Sequence, residues 1–143
     1  MRVRAILKSK APGFISVTPE TSISAVLALL AERHIGAVLV TNNGQLVGIV
    51  SERDIVRHLA AYAGKTLEMT AEQLMTRGLV TGTPDTTVAE AMEMMTEGRF
   101  RHLPIVQNGE LIGLVSIGDV VKARIDEHMH TVQTLTTYVA GRV

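Results

Sequence analysis

Residues 43–54, NGQLVGIVSERD, return 65 residues later as NGELIGLVSIGD at positions 108–119. Apolar β-prone runs flank the Asn-Gly pair each time: Ala37–Val40 and Leu46–Val50 around Asn43-Gly44, then Leu103–Val106 and Leu111–Val115 around Asn108-Gly109. Asn-Gly between apolar runs is a strong short-range hairpin signal, because both residues tolerate positive φ. In both stretches the second strand of the expected hairpin runs directly into a polar Ser-x-x-Asp.

Working outward, the same shift lays Ile15–Leu59 on Val80–Arg124 without a gap, with twelve identical positions. Thr18/Thr83, Pro19/Pro84, Thr21/Thr86 and Glu32/Glu97 precede the hairpin, and Val56/Val121 follows it. Such self-similarity takes precedence over single elements. Each copy opens with a short β stretch, Ser16–Thr18 or Thr81–Thr83, stopped by a proline. A helix is expected next, over Ser22–Arg33 or Thr87–Gly98, the second opened by a Thr87-x-x-Glu90 capping box. The middle of the first helix, Ala25–Ala31, is apolar on every side, and Met92, Met94 and Met95 give the second a similar character. A closing helix, Glu52–Ala63 or Gly118–His128, follows the hairpin.

The order is β-α-β-β-α twice over, an α+β fold of two half-domains. One copy of about 60 residues is marginal alone. Residues Gly64–Arg77 join the copies and contain a short helix at Ala71–Met75, whose upstream counterpart is Arg4–Leu7. The segment Lys8–Phe14 is three residues longer than its equivalent, Thr76–Leu79. The Thr- and Val-rich tail His130–Val143 has no partner in the first copy and reads as strand or coil.

Composition narrows the function. The 143 residues carry 14 Lys+Arg against 14 Asp+Glu, with 46% apolar and 20% charged residues, an ordinary globular balance. The absence of cysteine removes thiol nucleophiles, thiolate metal sites and disulfides, and suits a cytoplasmic location. Zero net charge and only 3% aromatic residues argue against nucleic acid as a partner. No apolar run approaches the roughly 18–20 residues of a membrane span. The basic start MRVRAILKSKAPGF lacks the hydrophobic stretch of a secretory signal. Walker loops, dinucleotide-binding glycine fingerprints and G-x-S-x-G elbows are also missing.

The Ser51-x-x-Asp54 and Ser116-x-x-Asp119 pairs carry two compatible readings. Ser-x-x-Asp at a helix start is a capping-box variant, with Ser as N-cap and Asp at the third helical position. The same geometry suits a nucleotide. Free N–H groups at a helix start favour phosphate, a Ser hydroxyl adds a hydrogen bond, and an Asp carboxylate accepts both hydroxyls of a ribose.

The repeat, the Thr-Pro opening, the hairpin and the duplicated G-h-h-S-x-x-D exit resemble a tandem pair of CBS (cystathionine-β-synthase) domains, a Bateman module, over about residues 2–128. The resemblance divides the chain into a first CBS domain at 2–63, a linker at 64–71, a second CBS domain at 72–129 and a tail at 130–143. It implies that the copies pack sheet to sheet about a pseudo-twofold axis, with clefts for adenosine-containing ligands: AMP, ADP, ATP, S-adenosylmethionine or NAD(H), no metal being required. Asp54 and Asp119 would then hold ribose, while Ser51 and Ser116 contact ribose or phosphate. Ser16, Thr18, Thr81 and Thr83 would edge the adenines, as would Ile35, Gly36, Ala37, Val38, Leu103 and Pro104. The resemblance puts Thr18, Gly36 and Ala37 with Ser116 and Asp119, and Thr83, His102 and Pro104 with Ser51 and Asp54. Arg99, Arg101 and His102 would form a phosphate clamp. Arg53 aligns with Gly118, so two inequivalent sites are expected.

These features imply a non-catalytic sensor that binds an adenine ligand, forms a homodimer and acts on an unidentified regulated protein. The alternatives are a ligand-free dimerisation scaffold, in which Ser-x-x-Asp only caps helices, and a nucleotide hydrolase built on Asp54 and Asp119. Lys8 and Lys10 read as a flexible basic start within reach of a phosphate tail, and His128 and His130 as a solvated helix end.

Overall fold

The computed structural model describes residues 1–141. Its elements run α1 (Val3–Ser9), β1 (Ser16–Val17), α2 (Ile23–Arg33), β2 (Ala37–Asn42), β3 (Gln45–Ser51) and α3 (Glu52–Tyr62). A 3-10 helix at Ala63–Glu68 and α4 (Ala71–Leu74) follow. The chain then forms α5 (Val88–Gly98), β4 (His102–Gln107), β5 (Glu110–Ser116) and α6 (Ile117–Gly141). Two sheets result, one of order β1-β2-β3 and one of order β4-β5, so the fold is mixed α and β as the repeat implies.

Local chemistry accounts for the boundaries. Ser22 and Thr87 cap α2 and α5 by accepting from Ala25 N–H at 3.1 Å and Glu90 N–H at 3.0 Å. His34 and Arg99 end those helices in the left-handed conformation (φ 54° and 56°). The hairpin turns keep both central residues at positive φ: Asn43 51° and Gly44 80°, Asn108 53° and Gly109 79°.

Two expected features differ. The second copy's opening strand is reduced to a bridge between Gly82 and Ile105, with Gly82 N–H on Pro104 O and Val106 N–H on Gly82 O, both 2.9 Å. Glycine allows this approach, since a Cβ on residue 82 would lie 3.0 Å from Leu103 Cδ2. The tail is neither strand nor coil: α6 continues to Gly141, and positions 142–143 lie outside the described residues. Low helix propensity of Thr and Val misleads here, because propensity is a weak prior. No proline or glycine falls between Gly118 and Gly141 to stop a helix already begun.

The compact units are not contiguous in sequence. One comprises Met1–Pro12, Thr81–Gln107 and Gly113–Val143; the other comprises Gly13–Val80 and Asn108–Ile112. The short helix that precedes each copy therefore belongs to the unit of the other copy. In one unit Val3 N–H binds Thr86 O (2.8 Å), Arg4 N–H binds Pro84 O (3.0 Å) and Val88 N–H binds Met1 O (3.0 Å). In the other, Ala71 N–H binds Thr21 O (2.8 Å), Glu72 N–H binds Pro19 O (3.0 Å) and Ile23 N–H binds Met69 O (2.8 Å). These bonds repeat position for position, with the carbonyls of the identical pairs Thr21/Thr86 and Pro19/Pro84 as acceptors.

The core of the Gly13–Val80 unit gathers Ile23, Val26 and Leu30 of α2 with Val38, Val40, Val50, Ile55, Ala71 and Leu74. In the other unit Val3, Ile6, Val88, Ala91, Met95, Leu103, Ile105, Val115, Val120 and Ala123 are buried. The apolar-all-round middle of α2 resolves into a buried face and a face of exposed Ala25, Ala28 and Ala31, with Leu27 and Leu29 partly covered.

The repeated glycine before Ser-x-x-Asp has a steric cause. A Cβ on Gly48 would lie 2.5 Å from Met75 Sδ, 2.7 Å from Cγ and 3.0 Å from Cβ; one on Gly113 would meet Leu7 Cδ2 at 2.8 Å. Each glycine thus makes room for a side chain at the end of the short helix in its own unit. Met75 is blocked along its stem, whereas Leu7 is touched only at its tip. Gly48→Ala is therefore expected to destabilise by about 1–3 kcal/mol, as overpacking does, and Gly113→Ala by less. Urea denaturation of both variants checks this, and an equal loss would contradict the steric account.

Candidate functional site

The best-defined polar constellation stands where each hairpin passes into its closing helix. Ser51 is the N-cap of α3, and its hydroxyl accepts from Asp54 N–H at 3.3 Å. In return Asp54 Oδ2 accepts from Ser51 N–H and from the Ser51 hydroxyl, both at 2.9 Å. At the start of α6, Asp119 N–H donates to Ser116 Oγ at 3.1 Å and Ser116 N–H to Asp119 Oδ2 at 2.9 Å. Both capping boxes are closed, and Asp54 and Asp119 remain partly exposed. Among the described residues the hydrogen bonds of both carboxylates fall on Oδ2, so each Oδ1 keeps acceptor capacity for a further donor.

A second bond fastens each junction to the start of its own hairpin. Glu52 N–H donates to Gly36 O at 2.9 Å, and Ala37 lies opposite Ser51 in the antiparallel register. Ile117 N–H donates to Arg101 O at 2.8 Å. Within its unit, Gly36–Ala37 is therefore joined to Ser51–Asp54, and Arg101–His102 to Ser116–Asp119. The same-copy neighbourhoods were readable from the hairpin, because counting outward from Asn43-Gly44 and Asn108-Gly109 sets Gly36 and Arg101 near the two serines.

The remaining candidates divide by exposure. Ser16 and Thr18 are exposed on and beside β1, and Ser16 pairs with Leu39 of β2. Thr18 N–H donates to Thr21 Oγ1 at 3.2 Å, and Thr83 N–H to Thr86 Oγ1 at 2.9 Å, so both Thr-Pro openings are fixed by the same local turn. Thr81 and Thr83 are exposed, Ile35 and His102 partly so, whereas Val38, Leu103 and Pro104 are buried and offer backbone or apolar edges. Arg53, Arg99 and Arg101 are exposed and form no salt bridge among the described residues. Gly118, opposite Arg53 in the repeat, leaves bare backbone at the first turn of α6.

Lys10, expected from its sequence context in a flexible basic start, is anchored. Its ammonium lies 2.8 Å from Asp119 Oδ2 and 2.9 Å from Leu114 O. Burial pushes the Asp119 pKa up, but the Lys10 ammonium and the Ser116 N–H and hydroxyl outweigh it and hold the carboxyl below its ordinary value. The extra length of Lys8–Phe14 was the one sequence signal that this segment departs from its counterpart. Among the described residues no group of three or more His, Cys, Asp or Glu gathers to hold a metal ion, and no helix is long and apolar enough to cross a membrane.

Comparison with known proteins sets this geometry in a family. Residues 3–61 and 71–126 each match the CBS domain. The CBS-domain-containing protein ATU1752 of Agrobacterium tumefaciens superposes with a TM-score of 0.84 at 40% identity, covering 87% of this chain and 99% of that one. The CBS domain protein PAE2072 of Pyrobaculum aerophilum, solved in complex with AMP, is 32% identical with a TM-score of 0.73 over 83% of this chain and 89% of that one. The CBS domain pair of protein MJ0100, solved with 5′-methylthioadenosine and S-adenosyl-L-methionine, is 25% identical with a TM-score of 0.76 over 86% and 98% of the two chains. A curated relative, the mitochondrial CBS domain-containing protein CBSX3 of Arabidopsis thaliana, is 46% identical over 43 residues, which is 30% of this chain and only 21% of that protein. With the duplicated hairpin, the two capped serine–aspartate junctions and matches to both halves, the chain belongs to the CBS-domain family as a CBS pair.

Proposed function

We propose that this CBS pair is a regulatory module that binds an adenosine-containing ligand, senses energy or redox state through it, and passes the change to a partner protein. The observation that carries the reading is the duplicated junction itself, in which a partly exposed aspartate is held at a helix start by one oxygen and keeps acceptor capacity on the other. In this reading Asp54 or Asp119 accepts the ribose hydroxyls, and the exposed Arg53, Arg99 and Arg101 are available to phosphate. The AMP complex of a relative 32% identical to this chain supports AMP as the first candidate, with ADP, ATP and NAD(H) beside it. No catalytic nucleophile or metal cluster is part of the proposal. Regulation further requires that the ligand bind one conformation better than another, since equal affinity shifts nothing.

Homodimerisation is part of the same proposal. Along α3, Val56, Leu59 and Tyr62 are exposed, and along α6 so are Val121, Ile125 and Met129. These residues recur at helical spacing and leave an apolar stripe in water on each helix. Light scattering is expected to return about twice the 15.4 kDa chain mass at micromolar concentration, and a monomer there contradicts the dimer.

Ligand binding is tested by thermal denaturation against AMP, ADP, ATP, NAD, NADH and S-adenosylmethionine, with GTP as control. A ligand at 100 times its Kd adds about 2.7 kcal/mol, a rise of roughly 8 °C for a chain of this size. The expected result is a rise with at least one adenine ligand, none with GTP, and loss of the rise in the Asp54→Ala/Asp119→Ala double variant. Flat curves for the folded, ligand-free protein reject the sensor and leave the junctions as helix caps in a scaffold.

A further inference from the structure

The two junctions differ at one carboxylate oxygen. Asp54 Oδ2 is held by the N–H and the hydroxyl of Ser51. Asp119 Oδ2 is held by the N–H of Ser116 and, as Asp54 is not, by an ammonium, that of Lys10 at 2.8 Å. The second bond made by Lys10 is equally specific. Leu114 O, which it takes at 2.9 Å, corresponds in the repeat to Ile49 O. In the first copy Ile49 O accepts Thr76 N–H at 2.9 Å, and Ile49 N–H donates to Thr76 O at 3.1 Å, a two-way backbone bridge. Among the described residues that bridge has no counterpart at Leu114. The extra residues of Lys8–Phe14 replace it, and the Lys10 side chain takes the carbonyl that backbone occupies elsewhere.

We propose that Lys10 is an intramolecular occupant of the second copy's ligand-binding carboxylate, an autoinhibitory tether that a ribose must displace before it can engage both oxygens of Asp119. The proposal rests on the reading of Asp119 as a ribose acceptor. A ribose cis-diol brings two O–H donors to one carboxylate, so it needs both oxygens. At Asp54 the competing donor is a neutral hydroxyl that rotates away at little cost. At Asp119 a cation is held as well, and its departure gives up a charge-assisted bond. The same ligand therefore binds more weakly at Asp119 than at Asp54. Occupancy of Asp119 also frees the segment between α1 and β1, which converts ligand binding into a change at the amino-terminal end of its unit.

The test uses adenosine and AMP as probes on the full chain. In an Asp54→Ala background, which leaves Asp119 as the remaining carboxylate, calorimetry is expected to show adenosine binding about two- to fivefold tighter after Lys10→Met, the range of a partly exposed ion pair. Should Asp54→Ala fail to fold, amine acetylation of the wild-type protein, read by mass spectrometry, supplies the second measurement: Lys10 is expected to react slowly without ligand and faster with saturating AMP. Unchanged or weaker adenosine binding on Lys10→Met, or an AMP-dependent slowing at Lys10, overturns the tether and leaves the ribose reading standing. If the wild-type protein binds neither adenosine nor AMP, the ribose reading falls and the tether with it.

Discussion

Everything distinctive about this chain depends on one joint, the passage from a buried strand into a helix across Ser-x-x-Asp. A helix start leaves backbone N–H groups without partners, and here the serine hydroxyl and aspartate carboxylate satisfy them reciprocally. The joint is tightened from the other side, because Gly36 and Arg101 give their carbonyls to the first N–H of α3 and α6. Strand, helix and hairpin start are thus locked into one small frame. Its polar atoms stay at the surface because the strand ahead of them is apolar and buried at Val50 and Val115. The same bonds that stabilise the fold hold a carboxylate at a fixed place at the surface.

Most of this frame was legible in the sequence. The Asn-Gly turns, the Thr87-x-x-Glu90 capping box and the twelve identities carry their own physical reasons, and the elements lie where those reasons put them. Two things were harder to read. Pairing between residues remote in sequence, such as Arg4 with Pro84 and Glu72 with Pro19, runs through backbone atoms and follows no local pattern, so the exchange of the short helices between units left no mark in the sequence. The helical tail was obscured because Thr and Val score poorly as helix formers, although nothing between Gly118 and Gly141 ends the helix. At the site, Lys10 was hidden because a lysine before a strand has no spacing signature. Its significance comes only from what it touches.

Duplication followed by local divergence explains the rest. The copies share a glycine that admits the end of a short helix, Met75 over Gly48 and Leu7 over Gly113, so both retain one backbone geometry. They part company where geometry is indifferent: Arg53 against Gly118, Arg99 and Arg101 against His34 and Gly36, a backbone bridge against a lysine tether. Changes of this kind alter charge and access around the carboxylates while leaving the frame intact. The result is a pair of unequal junctions on equal scaffolds.

The central claim is that the two aspartates recognise a ribose cis-diol, and amide NMR during titration tests it most directly. AMP is expected to shift the resonances of residues 51–54 and 116–119, with 2′,3′-dideoxyadenosine monophosphate, which lacks the diol, shifting neither set at the same concentrations. Equal shifts with both nucleotides, or AMP-dependent shifts confined to other parts of the chain, would contradict the account.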